Sequence, residues 1–549
     1  TAEKFYVLEN DFQQLVFSSK GGALVEINLP FLSDSNTHSV VRSIEPDASI
    51  AEESPANAQF PLFAYSGPAG ATVESKKGGY YPLLRRSLIQ DETSVFRAAP
   101  KFYALNVVSD YPEVAELPYR VVEYTATKIV FEATQPHRRI TKTFTIEPDA
   151  KGAPYVFNCR VKVDGDSRGL WLTTGVPEVE WISGGPAPTL KYRITRNDVT
   201  DVEKLDLPKE TVNTSSLDPD WFCNSNGFFG VILDPLSPMD AGYRADKVPG
   251  TALPSRLIQV DRQFDRYKAK DLPGYQCMLP LRRTGGEMEF RVYAGPFADQ
   301  TLRIVDAALT DAQTGAGPDY RSSQTFHGYF AFISRPFAKF LFVLMTTFYN
   351  LSGSWALSIV LLTVALRVIL YPLNAWSMRK MRVAQKLKPL LDDIDAKYKK
   401  DPQKAQMEKF NLLREHKANP LAGCFGLLIQ MPFLIGMFDL LKSTFELRGA
   451  PFIPGWIDNL TAPDVLFTWG FALPVIGNQL HVLPLLTGAM MYLQSKLSTT
   501  LPADKSEWTD AHRQQAMMGP MMAGMFALFF YNFPSGLNIY WLSSTALGI

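Results

Sequence analysis

A single arginine, Arg367, interrupts the apolar run Trp355–Leu373. A run of that length crosses a bilayer, which takes roughly 20 residues. A cation near the centre of such a helix costs about 2.5–3.5 kcal/mol on insertion scales. It is kept where protein, water or an anionic partner meets it. The chemistry open to Arg367 is therefore electrostatic, namely attraction of an anionic group inside a low-dielectric cavity. Trp355 suits a headgroup interface. Arg367 follows twelve residues later, about 18 Å along a helix and so in the far half of a core roughly 30 Å thick. The bland alternative is a side chain that snorkels to the nearer surface. Thr363 precedes Arg367 by one turn on the same face and favours a wet, inward stripe, whereas Ser358 falls on the opposite face.

Other chemistry is sparse. His38 and His137 lie far apart and no carboxylate motif frames them. Cys159, Cys223 and Cys277 lack paired spacing and read as core residues, with no metal site. No phosphate-binding loop of the G-x-x-x-x-G-K-S/T pattern occurs, so direct use of ATP is not expected. Lys and Arg together equal Asp and Glu, 55 against 55, which argues against general nucleic-acid binding. No cofactor and no enzymatic activity are expected.

The elements that must position Arg367 divide the chain in two. Residues 1–320 carry alternating, turn-punctuated segments: Arg120–Phe131, Arg139–Ile146, Tyr155–Val163 and Met288–Tyr293. Alternation with β-branched and aromatic residues predicts half-buried antiparallel strands, hence a large all-β sandwich. Asp299–Thr310 reads as a closing helix with Asp299 as its N-cap. A scaffold or docking role is expected for this domain, with a lectin-like or mutarotase-like role as the alternative.

Residues 325–549 hold nearly all the long apolar runs. The aromatic stretch 325–350, broken by Arg335-Pro336 and Lys339, predicts a helix lying in the interface plane, with a second spanning helix as its rival. Residues 351–549 then predict a transmembrane bundle. Its spans are Trp355–Leu373, about Pro420–Leu441, about Val482–Leu497, about Met517–Phe533, and a last one from Leu537 that is cut off. Segment 379–417 carries twelve Lys/Arg against six Asp/Glu. The positive-inside rule places it in the cytoplasm and the β domain outside. It predicts a helical hairpin, Ala384–Tyr398 and Pro402–Lys417, broken at Lys399-Lys-Asp-Pro402. Its basic residues Arg379, Lys380, Arg382, Lys386 and Lys388 are either a solvated face or a docking site for a ribosome, a targeting factor or anionic lipid. Met517, Met521 and Met525 offer an adaptable apolar slide, or ordinary helix packing. The chain opens without methionine and stops inside an apolar run, so it reads as a piece of a longer protein.

Residues 326–549 resemble the YidC family of membrane protein insertases. The resemblance rests on Arg367 with Tyr371-Pro-Leu373, the basic hairpin, Asn419-Pro-Leu-Ala-Gly-Cys424, Leu428-Ile-Gln-Met-Pro432, Glu446-Leu-Arg-Gly-Ala-Pro451 and Phe533-Pro-Ser-Gly-Leu537. The β domain resembles the periplasmic domain of Gram-negative members, chiefly by position and by Gly21-Gly22. The resemblance implies a bacterial inner-membrane, multi-pass protein with residues 1–320 in the periplasm. It implies insertion of nascent membrane proteins into the lipid bilayer, alone or beside the Sec translocon, through a hydrophilic groove. Arg367, Thr363 and Gln430 match groove positions, and Trp541 stands where many members carry a client-touching tyrosine. A transporter of an anionic solute, with Arg367 as its binding site, is the rival expectation.

Overall fold

The computed structural model describes residues 2–91, 94–182, 184–324, 331–399, 401–416, 422–498, 506 and 510–548. It divides into two compact units. The first is Thr1–Thr325 with Ser443–Gly449 and Phe471–Leu473, and the second is the remainder.

The first unit is an all-β sandwich. Its centre is a nine-stranded antiparallel sheet. From one edge the order is Arg120–Tyr124, Lys128–Gln135, Arg138–Ile146, Val156–Gly165, Gly286–Pro296, Phe229–Pro235, Trp221–Ser225, Thr189–Arg196 and Val199–Leu205. Alternation of buried and open residues along 139–146 and 157–164 gives this sheet one core face. A six-stranded sheet that includes Phe5–Glu9, Gln14–Ser18 and Ala23–Pro30 covers part of that face. Phe17 from it meets Phe131 and Phe144, with centroids 5.9 and 4.7 Å away. A five-stranded sheet with Gly274–Pro280 and Tyr243–Val248 joins through Phe222 and Tyr243, at 5.2 Å. Cys159, Cys223 and Cys277 are buried free thiols in these sheets.

Two local expectations change. Arg120–Phe131 is not one strand but two arms of a hairpin. Thr125 Oγ1 accepts the Lys128 N–H at 3.1 Å and turns the chain between them. Two short helices complete the unit, α1 (Glu45–Glu53) and α2 (Asp299–Leu309). Asp299 is not the N-cap of α2, because Ala298 holds that position. The carboxylate of Glu446 accepts the Asp299 N–H at 2.9 Å and satisfies this helix start from outside. Asp299 turns to Arg303 and Arg321 instead.

The second unit is helical: α3 (Ala331–Ser352), α4 (Trp355–Lys386), α5 (Lys388–Lys397), α6 (Pro402–Glu415), α7 (Ala422–Ser443), α8 (Leu483–Ser498), α9 (Asp510–Phe529) and α10 (Ser535–Ala546). Trp355–Leu373, within α4, is the one helical segment among the described residues long and apolar enough to cross a membrane. The helix outruns the expected span by about three and a half turns, because nothing in the stretch after Leu373 stops the backbone bonding. Lys388-Pro389 starts α5 and so delays the first hairpin helix, which was expected from Ala384. Lys409 and Asp395, 2.6 Å apart, join α6 to α5.

α3 buries Ala338, Leu341 and Met345 along one face, and its Phe337 ring meets Phe433 of α7 at 4.7 Å. Gly488 of α8 lies so close to Ala523 that an added Cβ would stand 3.0 Å from its carbonyl. Small residues let α8 and α9 approach in this way. Pro534 is the N-cap of α10, so the turn between α9 and α10 ends before Ser535. A hairpin absent from the sequence expectations, Phe467–Leu473 with Gly477–Leu480, precedes α8.

Candidate functional site

Arg367 sits on α4 and is half-buried. Its guanidinium donates to the Ser544 carbonyl and lies 3.3 Å from the Ser544 hydroxyl, both on α10. Carbonyls near a helix C-terminus carry partial negative charge, which orients a cation without neutralising it. Among the described residues no carboxylate forms an ion pair with Arg367. A Cβ placed on Gly548 would lie 3.0 Å from Arg367 Nη2 and 2.6 Å from Gln494 Nε2 of α8. Ser544 of α10, Gly548 after it and Gln494 of α8 therefore gather around the cation on α4.

Thr363, one turn before Arg367, is 1% exposed, and its hydroxyl donates to the Ile359 carbonyl at 2.8 Å. Such back-bonding satisfies a hydroxyl inside an apolar helix. Trp541 lies one turn before Ser544 on α10, against Phe526 and Phe530 at 5.5 and 5.9 Å. Its indole N–H has no acceptor among the described residues. Met517, Met521 and Met525 form an exposed stripe along α9. Gln430 falls on α7, but its side chain lies outside the described residues, as do those of Lys380, Arg382 and Lys388. Arg379 and Lys386 are exposed. Arg367, Thr363 and Trp541 thus belong to the packed α4–α10 region, with the methionine stripe on the neighbouring helix. Sequence reasoning missed Ser544 and Gln494, whose only signal was polarity within apolar segments.

A second constellation was also missed. Arg448, in Ser443–Gly449, makes a bidentate pair with Glu180 of the β sandwich, both bonds 3.0 Å. It also donates to the Arg42 carbonyl at 2.7 Å and lies beside the stacked rings of Tyr81 and Phe229, at 5.0 and 4.8 Å. Phe445 enters the sandwich core edge-on to Phe228 and Phe229. Burial pushes the Glu446 carboxyl up to about 7. In the same unit burial lowers the Lys142 ammonium to about 7, its Nζ donating to the carbonyls of Gly21 and Leu105. The segment is a plug with two ionisable side chains, each matched to a fixed partner.

An apolar helix of spanning length that carries a cation, in one chain with a large β sandwich, fits a membrane protein with a second folded domain. The 60Kd inner membrane protein family matches residues 347–549. Membrane protein insertase YidC of Chlamydia caviae is 45% identical over 551 residues, covering 100% of this chain and 68% of the relative. The Chlamydia trachomatis insertase is 44% identical, covering 99% of this chain and 69% of its own. A crystal structure of active YidC insertase with its first transmembrane domain resolved aligns over 100% of this chain and 92% of that one, at 17% identity and a TM-score of 0.34. The sequence relatives decide the matter: the chain belongs to the YidC family of membrane protein insertases. That family is one of inner-membrane proteins.

Proposed function

We propose that the helical unit inserts clients through a hydrophilic groove in which Arg367, Gln430 and Trp541 meet the arriving chain, with Thr363 buried one turn before Arg367. The observation that carries this reading is the state of Arg367. It is held by a carbonyl and a hydroxyl of Ser544, and no carboxylate among the described residues cancels its charge. A client's short exported segment, if acidic, is drawn to that charge more strongly than it would be in bulk water. The client's apolar helix meanwhile leaves along the Met517, Met521 and Met525 stripe into lipid, driven by burial of its apolar surface. The reaction needs no covalent chemistry and the protein is not an enzyme.

In this reading the spans are multiple, the β sandwich is periplasmic, and the 379–417 hairpin is cytoplasmic. Arg379, Lys380, Arg382, Lys386 and Lys388 then dock the ribosome or a targeting factor, and the Sec translocon is a partner for some clients. Photocrosslinking from positions 521 and 541 of the full-length protein to ribosome-bound nascent membrane proteins tests the groove. Crosslinks that vanish when the client's apolar segment is made polar support it. Arg367→Glu tests the electrostatics, with clients bearing acidic exported segments expected to lose more insertion than neutral ones. Equal insertion of both sets would refute the role of charge. No crosslink from a folded protein would favour transport of an anionic solute instead.

A further inference from the structure

A cavity of about 270 Å³ opens in the β sandwich, wholly within the first unit. One part of its wall is the two-stranded hairpin Leu88–Ile89/Val95–Phe96. Phe96 pairs directly with Leu88, so both side chains stand on one face of that ladder, and both line the cavity. Asn57 holds the hairpin in place: its side chain accepts the Ile89 N–H and donates to the Ile89 carbonyl, both at 2.7 Å. Ile258, Val260 and Tyr267 supply further apolar wall. The Tyr267 ring meets that of Trp181 in a T-shaped contact at 5.1 Å.

Two polar features do not suit a wall built only for packing. Gln259 lines the cavity and is 1% exposed, yet its Oε1 accepts from no group among the described residues. Its Nε2 lies 3.4 Å from the Ile89 carbonyl, which Asn57 already occupies. A buried acceptor left unpaired is costly, so this one is suited to a donor from outside. The second feature is charge. Arg262, Asp265 and Arg266 line the cavity. Arg266 is matched by Asp261 and Glu45, at 3.1 and 3.5 Å, and Asp265 by Lys268 at 3.5 Å. The exposed Arg262 has no ion pair among the described residues, so the rim carries one unmatched cation.

We propose that this cavity is a peptide-binding site that takes an apolar side chain flanked by a carboxylate. Mainly apolar walls with a few placed polar groups are the usual make-up of a ligand pocket. The peptide's apolar side chain packs against Leu88, Phe96 and Tyr267, a backbone N–H donates to Gln259 Oε1, and the carboxylate meets Arg262. A neutral sugar offers donors but no charge for Arg262, and it sets hydroxyls against an apolar wall. A lipid offers charge, but its full acyl chain is too long for a cavity of this size. Every residue named lies in the first unit, so the proposal stands apart from the groove reading.

The test uses the full-length protein in nanodiscs, titrated calorimetrically with a short capped peptide that carries a phenylalanine beside a glutamate. Empty nanodiscs give the lipid blank. Serine in place of the phenylalanine is expected to weaken binding at least about ten-fold. R262E is expected to weaken it at least about three-fold at low salt, and a peptide with lysine in place of the glutamate is expected to bind R262E better than the parent. Arg262 is exposed, so R262E keeps the parent Tm and lost binding is not lost folding. Q259L removes the acceptor and is expected to weaken the glutamate peptide while leaving the preference for glutamate over lysine. No binding above the blank, or equal binding of the phenylalanine and serine peptides, overturns the proposal. Binding unchanged in both R262E and Q259L puts the peptide elsewhere and also overturns it. If the peptide does not bind but glucose or a short-chain phosphatidylglycerol does, and R262E removes that binding, the site belongs to a sugar or a lipid instead.

Discussion

Replacing Arg448 by methionine keeps a long apolar stem but removes the partner of Glu180. The two side chains are 1% and 4% exposed, so the carboxylate left behind has no water to turn to. Breaking a buried pair in this way costs about 3–5 kcal/mol. The sandwich comprises Thr1–Thr325 and two short segments. At about 2.1 cal/mol/K per residue its unfolding entropy is about 0.7 kcal/mol/K. A loss of about 4 kcal/mol then lowers Tm by roughly 6 °C. The assay is thermal unfolding followed by near-UV circular dichroism in nanodiscs. Residual pairing is separated from the orphan charge by a cycle with E180L and the double variant. The double variant is expected to recover at least half of the loss, because well-packed apolar residues replace a buried pair at little net cost. If R448M alone leaves Tm unchanged, the plug does not depend on this pair. If the double variant is as unstable as R448M, lost packing rather than an orphan charge is responsible, and the reasoning fails.

Three further outcomes follow from the same geometry. The Glu446 carboxyl titrates at about 7 against an ordinary 4.5, so the folded state binds more protons between those values and stability falls as pH rises through that window. E446Q keeps the acceptor for the Asp299 N–H, removes a cost of about 3 kcal/mol at pH 8, and should flatten the Tm–pH curve between 4.5 and 7. Lys142 shows the opposite slope. Its folded value of about 7 lies below the ordinary 10.5, so stability rises with pH between 7 and 10.5, and K142M should abolish that rise. Changing Met517, Met521 and Met525 together to serine should reduce insertion of varied apolar clients several-fold in proteoliposomes while leaving the sandwich Tm unchanged, because the stripe is exposed on α9.

Much of this was legible because the forces involved are local. Alternation along Arg139–Ile146 reports which residues face a core, and the sheet obeys it. Arg367 announces itself because its surroundings are apolar, whatever it touches. Its partner could not be read, because Ser544 lies 177 residues away and a serine beside Ser543 and Thr545 looks like any other. The plug was hidden for a related reason. Glu446-Leu-Arg448 follows an apolar helix and reads as a short polar loop, whereas its partners, Glu180 and Asp299, are set by how the sandwich folds. One signal was present. In the loop from Ser443 to His481 the only charges are Glu446, Arg448, Asp458 and Asp464. Arg448 and Asp464 are buried and Glu446 is half-buried, and all three are bound to named partners. A solvated loop has no reason to be so poor in charge. A loop whose first residues enter a protein core does, because each charge it keeps there must be matched by a partner or removed.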